Sequence, residues 1–143
     1  MPSFEPASDD YRERVRACFE AQEMLGAIGA VLARVEPGEV ELALPYRQDL
    51  TQQHGYLHAG VITTLADSAC GFAALSLMPA GADVLSVEFK LNLLRPAAGQ
   101  HFHAIGTVLK PGRTLTVTRG DVWADGKDGW TLIATLLATM IRR

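Results

Sequence analysis

The sequence is poor in cysteine, which argues against a fold held together by disulfides. Its 143 residues include two cysteines, Cys18 and Cys70, which lie far apart in two different helical patterns. The N-terminal stretch is polar and acidic, unlike a secretory leader. We therefore expect a reduced, cytoplasmic protein with a single domain over residues 1–143.

Positive charge and metal-ligand patterns are also scarce. The 13 Lys and Arg residues are scattered and are outnumbered by 16 Asp and Glu, which gives a net charge of −3. This balance leaves no electrostatic footprint for nucleic acid. His54 and His58, like His101 and His103, have no cysteine or carboxylate at ligand spacing, so no metal site is expected.

Long hydrophobic runs are absent except in one place. Residues 61–78 approach the length that spans a bilayer, but the segment includes Asp67 and several hydroxyl side chains. An Asp at the centre of a spanning helix costs about 2.5–3.5 kcal/mol on the insertion scale. A helix buried in protein is the simpler interpretation, and no membrane partner is expected.

Periodicity predicts the elements around that helix. An amphipathic N-terminal helix is expected over about residues 8–25, and two short strands are expected on either side of Pro37-Gly38. A polar loop then leads into the long helix. Alternating residues predict four further strands: Leu85 to Leu93 half-buried, His101 to Leu109, Leu115 to Ala124 with a bulge near Gly120, and Trp130 to Ile141.

This order predicts an α+β fold with one sheet and one dominant helix. The four later strands are expected to form an antiparallel meander. In the last strand, Leu132, Ala134 and Leu136 are assigned to one face, and Ile133 and Leu137 to the other. Because both faces are apolar, we expect a curved sheet around the helix and a twofold dimer that completes the core.

Asp67 is the least ordinary residue of the long helix. Gly60, Thr64, Asp67, Gly71 and Ala74 follow helical spacing and form a stripe of small or polar residues, which leaves room for a ligand or a neighbouring chain. A carboxylate there, without a cationic partner, is suited to general-base chemistry. The alternative is an Asp satisfied by backbone groups or by an Arg across an interface.

The start of the same helix offers a second kind of chemistry. The backbone N–H groups of Ala59 and Gly60 are expected to be unpaired at the positive end of the helix, where they would stabilise an oxyanion. Asp67 lies about 12 Å further along the axis. One helix cannot easily present both groups to one carbonyl carbon, whereas two copies across an interface can.

Three stretches carry a family pattern: "HGYLHAGVITTLADSACGFAA", "LSVEFKLNLLRPAAGQHFHAIGTVLKPGRTLTV" and "VWADGKDGWTLIATLLATM". They contain an Asp nine residues after a His, a strand ending in Arg-Pro-Ala, and a Gly-Arg turn. Over roughly residues 35–141 the sequence resembles the hotdog-fold acyl-CoA thioesterases of the PaaI-like (phenylacetate-degradation) family.

The resemblance implies roles for individual residues. Asp67 would be the general base or nucleophile, the Ala59 N–H would polarise the thioester carbonyl, and Ser86 would orient the attacking water. Gln52 stands where the family has Asn, and His58 matches the His beside the thioester. Contacts to CoA are implied for Gly60, Arg95, Pro96, Ala97, Lys110, Gly112, Arg113 and Thr114.

Several alternatives remain open at this point. His58 alone is equally well explained as a hydrogen-bonding residue at the helix start, and Lys110 and Arg113 as solvated charges at a surface turn. Cys70 is expected to serve packing. The candidates for aromatic side chains that line a pocket are Tyr56, Phe72, Trp123 and Trp130, although aromatic side chains more often belong to a core.

The function predicted is hydrolysis of a small, aromatic or medium-chain acyl-CoA at the interface of a homodimer that pairs into a homotetramer. CoA would enter only as part of the substrate, with no separate cofactor. No Gly-x-Ser-x-Gly elbow is present, which disfavours the α/β-hydrolase route. Two other functions share the fold: an acyl-thioester dehydratase or hydratase, and a non-catalytic acyl-CoA or aromatic-ligand binding module.

Overall fold

A computed structural model describes residues 3–143, so positions 1 and 2 of the predicted domain lie outside the described residues. Hydrogen bonds and packing define three helices and six strands in that range, with a short 3₁₀ turn at Gln48–Leu50. The helices are α1 (Tyr11–Ala21), α2 (Glu23–Ile28) and α3 (Ala59–Leu75); the strands are β1 (Val31–Glu36), β2 (Glu39–Pro45), β3 (Val84–Leu93), β4 (His101–Lys110), β5 (Leu115–Gly126) and β6 (Gly129–Arg142).

The strands form one antiparallel sheet in the order β1-β2-β4-β5-β6-β3. The predicted four-stranded meander is therefore wrong in one respect, since β3 pairs with β6 rather than with β4. The β1–β2 hairpin occupies the place beside β4. Alternation along β3 indicated a strand but carried no information about its neighbour, because any antiparallel partner satisfies the same pattern.

Helix α3 crosses the middle of the sheet at two paired glycines. Gly106 of β4 lies directly opposite Gly120 of β5. A Cβ on Gly106 would lie 2.2 Å from the carbonyl oxygen of Ala69, and one on Gly120 would lie 2.9 Å from the Cys70 sulfur. The two glycines therefore set how closely the helix packs against the sheet, and the α+β plan of one sheet around one helix is confirmed.

Strand β3 differs from the half-buried strand that the sequence predicted. It lies at an edge, and Leu85, Val87, Phe89 and Leu93 are each about half exposed in the single chain. A bulge between Ser86 and Glu88 also shifts its phase. Ser86 lies opposite the buried Met140, so its side chain faces α3, whereas strict alternation would have put it on the other face.

A second bulge corrects the assignment of faces in β6. Its extra residue is Ile133 of β6, opposite Val122 and Trp123 of β5, whereas β5 itself pairs regularly through Gly120, so the bulge predicted near Gly120 is wrong. Leu132 pairs with Trp123 on the face away from α3, while Ile133 and Ala134 are both buried. Leu137 is half exposed in the single chain, as expected for an outer face without a cover.

The N-terminal helix predicted over residues 8–25 is divided in two. Its backbone leaves the helical conformation at Gln22 (φ −87°, ψ 105°), and α2 continues to Ile28. Val15 and Leu25 anchor the two segments in the core. Within residues 3–143, no helix is both long enough and apolar enough to cross a membrane.

Candidate active site

A cavity of about 430 Å³ opens at the N-terminal end of α3 and is called the helix-end cavity. Two segments that are distant in sequence form its walls: the loop that leads into α3, and the chain that leaves β3. The predicted site residues that line this cavity are Gln52, Ala59, Arg95, Pro96 and Ala97. The structure therefore brings together five residues that the sequence placed in two separate motifs.

Ala59 carries the one backbone N–H in the first turn of α3 that has no acceptor among residues 3–143. His58 is the N-cap, and its Nδ1 accepts a hydrogen bond of 2.8 Å from the Gly60 N–H. The expectation that both N–H groups are unpaired is therefore wrong for Gly60. The Ala59 N–H makes no hydrogen bond within residues 3–143 and lies at the positive end of the helix.

The position of His58 is explained by helix capping. This was the alternative to a role beside the thioester. Because Nδ1 accepts from Gly60, the proton of the neutral ring is assigned to Nε2. The side chain is exposed and does not line the helix-end cavity. Its catalytic role stays a prediction.

Gln52 is held by the loop that it closes. Its Oε1 accepts hydrogen bonds from the backbone N–H groups of His54 (2.7 Å) and Tyr56 (3.3 Å), and its own N–H donates to the Tyr56 carbonyl. These bonds fix the orientation of the amide and leave its Nε2 as a donor. The extra methylene relative to Asn is thus taken up in a local turn.

The Arg95-Pro96-Ala97 segment forms the outer wall of the same cavity. The Arg95 guanidinium donates to the Leu132 carbonyl (2.8 Å), and the Ala97 carbonyl accepts from the Leu57 N–H (3.1 Å). Ala97 is buried, whereas Arg95 and Pro96 are exposed. The segment is therefore fixed to β6 and to the loop before α3, with the cation at the cavity rim.

Asp67 lies in a different depression, of about 290 Å³, called the Asp67 cavity. Its Oδ1 accepts a hydrogen bond of 2.6 Å from the Ser86 hydroxyl, so the structure brings these two predicted residues into contact. Asp67 is half-buried and forms no ion pair with any residue that the structure describes. Sequence analysis missed five further lining residues, Gln22, Ser68, Val84, Leu85 and Met140. Gln22 and Met140 come from elements far from the motif, whereas the other three are close neighbours of Asp67 and Ser86 in sequence.

The Lys110–Thr114 turn lies at the Asp67 end of the sheet. Leu115 is opposite Ile141, and Leu85 is opposite the same residue from the other side. The turn is tight, because a Cβ on Gly112 would lie 2.0 Å from the Leu115 carbonyl oxygen. Lys110 and Arg113 are exposed, and neither lines either of the two cavities.

The predicted site residues thus form two groups at opposite ends of β3. Ser86 is near the start of the strand with Asp67, whereas Leu93, near its end, lines the helix-end cavity. At about 3.3 Å per residue, about 20 Å of strand separates them. Within one chain, Asp67 and the Ala59 N–H therefore do not address one carbonyl carbon.

The four aromatic candidates divide between the two faces of the sheet. Tyr56 lines the helix-end cavity, and Phe72 lines the Asp67 cavity. Trp123 and Trp130 lie with His103 on the opposite face, where the His103 and Trp130 rings meet edge to face at 4.6 Å. The tryptophans are therefore not part of the predicted site.

Cys70 lies on the buried side of α3, and burial raises the pKa of its thiol to about 12. The thiol consequently stays protonated near neutral pH and fills space against Gly120. Among residues 3–143, no group of three or more His, Cys, Asp or Glu side chains is arranged to hold a metal ion.

Comparison with known proteins gives one consistent family. The model of the thioesterase superfamily matches residues 54–130, more than half of the chain. Acyl-coenzyme A thioesterase 13 of Homo sapiens is 30% identical over 113 residues, covering 78% of this chain and 80% of the relative.

Solved structures agree with that family. The crystal structure of a thioesterase family protein from Silicibacter pomeroyi has a TM-score of 0.91 at 48% identity and covers 92% of this chain and 97% of its own. The E. coli PaaI protein of the phenylacetic acid degradation operon has a TM-score of 0.84 at 20% identity and covers 96% of each chain, a likeness of fold. The predicted hotdog fold is confirmed, and the chain belongs to the thioesterase superfamily as a hydrolase acting on thioesters.

Proposed function

We propose that this protein hydrolyses acyl-CoA thioesters by carboxylate-assisted attack of water, at two equivalent sites of a homodimer. In each site, Asp67 and Ser86 come from one copy, and Ala59 and Gln52 come from the other. The observation that carries the proposal is the separation of these two pairs along β3 in one chain.

An antiparallel pair of β3 strands would close that separation. When two copies of a strand pair antiparallel about a twofold axis, the start of one lies beside the end of the other. An axis near Phe89 and Lys90 would place Ser86 of one copy beside Leu93 of its partner. The Asp67 cavity of one chain would then adjoin the helix-end cavity of the other.

The exposed edge of β3 supports this arrangement. A ten-residue edge strand with four half-exposed apolar side chains is a template for pairing with another chain. The opposite edge, β1, carries Arg34 and Glu36 and lies beside α1, with Arg12 donating to the Val35 carbonyl. Of the two edges, β3 is the one suited to self-association.

The chemistry follows from the hydrogen bonds at each end. Ser86 donates to Asp67, so the lone pairs of its hydroxyl are left to accept from a water and hold it beside the carboxylate. Asp67 takes a proton from this water as the oxygen–carbon bond forms. The partner's Ala59 N–H and Gln52 amide stabilise the oxyanion, and the carbon–sulfur bond then breaks as the proton passes to the CoA sulfur.

Coenzyme A would lie along the surface outside the helix-end cavity. Arg95 is at its rim, and pairing through β3 would bring the partner's Lys110–Thr114 turn toward the same side. Three cations, Arg95, Lys110 and Arg113, are then available to the phosphates of CoA. The remaining predicted contacts, Gly60, Pro96, Ala97, Gly112 and Thr114, would shape this path.

The test is a thiol-release assay over short, long and aromatic acyl-CoAs, with Asp67→Asn and Asp67→Ala beside the unaltered protein. We expect loss of about 10²–10⁴-fold in kcat, as for removal of a positioned general base. Asp83→Asn is the matched control, because Asp83 is exposed and bonds the start of β3 outside either cavity.

Two results would overturn the proposal. Activity of Asp67→Ala within tenfold of the unaltered protein would remove Asp67 from the chemistry. Tight binding of CoA without thiol release from any acyl-CoA in the panel would instead favour the non-catalytic binding module.

A further inference from the structure

The Asp67 cavity extends beyond the residues that the proposed chemistry uses. From Asp67 it continues about one helical turn along α3, past Gly71 to Phe72. Its far end contains Gln22, from the break between α1 and α2. The depression is therefore longer than a site that only has to hold a water molecule.

The walls of this extension are suited to an acyl chain. Phe72, Val84, Leu85 and Met140 are apolar, and Met140 and Phe72 are almost fully buried. The thioester carbonyl would sit at Asp67, with CoA leaving through the partner's helix-end cavity on one side. The acyl group then has the continuation past Gly71 as its path on the other side.

Gly71 provides the width of this path. It lies one turn after Asp67 on the same face of α3, and a Cβ built on it meets no atom within 4 Å. Glycine in a helix destabilises it relative to alanine, because it loses more conformational entropy on folding. A glycine beside open space therefore points to a need for room for a bound group at this position. The volume of the Asp67 cavity, about 290 Å³, is several times the roughly 30 Å³ that one water molecule takes up in the liquid.

Gln22 provides the end of the path. The backbone leaves the helical conformation at this residue, between Ala21 and Glu23, and its exposed side chain lines the Asp67 cavity together with Gly71 and Phe72. Its amide nitrogen lies 3.7 Å from the Cys18 sulfur, which holds the side chain against α1. Residue 22 lies outside the segment 54–130 that matches the superfamily model.

We propose that Gly71 and Gln22 select the acyl group, Gly71 by leaving the Asp67 cavity wide enough for medium-chain and arylacyl groups and Gln22 by closing its far end. This inference rests on the proposed thioesterase function. It assigns to the N-terminal helices a part in substrate choice, in addition to covering the core.

The experiment measures kcat/KM for straight-chain acyl-CoAs from acetyl to dodecanoyl and for phenylacetyl-CoA. For Gly71→Leu we expect the ratio of octanoyl-CoA to acetyl-CoA to fall about tenfold or more, since one methylene in a pocket is worth about 10–200-fold. For Gln22→Ala we expect the opposite change, an increase in the ratio of dodecanoyl-CoA to octanoyl-CoA. Gly26→Leu, another helical glycine with open space, is the matched control and should change neither ratio.

Three outcomes would overturn the inference. Ratios within twofold of the unaltered protein in both variants would mean that the acyl group lies elsewhere. If both variants shifted the preference for chain length in the same direction, the cause would be a general disturbance of the site. Separate roles for Gly71 in cavity width and for Gln22 at the far end would then be excluded. Loss of the oligomeric state in Gly71→Leu would show that a second copy fills the space over Gly71. In each case the unaltered protein would still release thiol in a reaction that depends on Asp67. If the proposed function itself fails, thiol release is either absent or independent of Asp67.

Discussion

Ala59 and Asp67 lie eight residues apart on one helix, yet the chemistry proposed for them requires two helices. The reason is their separation of about 12 Å along the helix axis. His58 takes up the Gly60 N–H, so the Ala59 N–H is left as the donor for an oxyanion. In the proposed chemistry, α3 would therefore contribute a main-chain group at one end and a side chain two turns later.

Ala59→Pro tests that donor without removing any side-chain chemistry. Proline is favoured at the first position of a helix, and His58 already has the extended conformation that precedes proline (φ −60°, ψ 140°). We expect kcat to fall about 10²–10³-fold, as for loss of one oxyanion donor, with an unchanged far-ultraviolet circular dichroism spectrum. Ala59→Gly, which keeps the N–H, is the control; equal losses in both variants would contradict the assignment.

The family resemblance, rather than local pattern, joined Ser86 to Asp67 in one predicted site. The structure brings the two side chains into contact, although Ser86 reaches α3 because of a bulge that the alternation of β3 did not reveal. Gln22 was not predicted to approach the site at all. Its position depends on a helix break and on tertiary packing, neither of which leaves a periodic signal.

At the scale of elements, the close approach of α3 to β4 and β5 positions the whole site. It depends on the paired glycines Gly106 and Gly120, whose missing side chains admit the backbone of residues 66–70. At the far end of α3, the Ser76 hydroxyl donates to the Ala73 carbonyl and accepts from the Gly38 N–H, which ties the helix to the β1–β2 turn.

Gly106→Ala is expected to destabilise the protein by about 3 kcal/mol, because its Cβ would meet the rigid Ala69 backbone rather than the end of a flexible side chain. Gly26→Ala, in α2 with nothing within 4 Å, is expected to stabilise by about 0.5–1 kcal/mol. Urea denaturation at one fixed protein concentration measures both. A Gly106→Ala protein as stable as the unaltered one would contradict this packing.

The sequence predicted which segments are helices or strands better than it predicted which strands pair. The hairpin around Pro37-Gly38 and the four later strands are present, because alternation and turn residues report local conformation. The pairing of β3 with β6 was not predicted, since it is decided by contacts between residues about fifty positions apart. The same non-local pairing leaves β3 at an edge of the sheet.

At the scale of the whole molecule, the exposed edge of β3 is the surface through which we expect two copies of the chain to pair. Phe89 lies opposite Ala138, on the face of β3 that looks toward α3, and is 44% exposed in the single chain. Phe89→Asp is expected to yield a monomer by sedimentation and to lose thiol release in parallel, because a charge would be buried in the paired edge.

Met24→Asp is the control for that variant. Met24 is 58% exposed on α2 and lines neither of the two cavities, so its replacement should leave both mass and activity unchanged. A Phe89→Asp protein that is monomeric and fully active would show that one chain suffices. The homotetramer predicted from the family resemblance stays a prediction.

The most direct measurement is complementation between two inactive variants. Asp67→Ala and Ala59→Pro chains, carrying different tags, are produced separately and together, and thiol release is measured for each. If every site takes Asp67 from one copy and Ala59 from the other, a mixed dimer holds one site with both residues intact. Random pairing then restores roughly a quarter of the unaltered activity. If both residues act within one chain, the mixture stays as inactive as either variant alone, and that result would contradict the shared site.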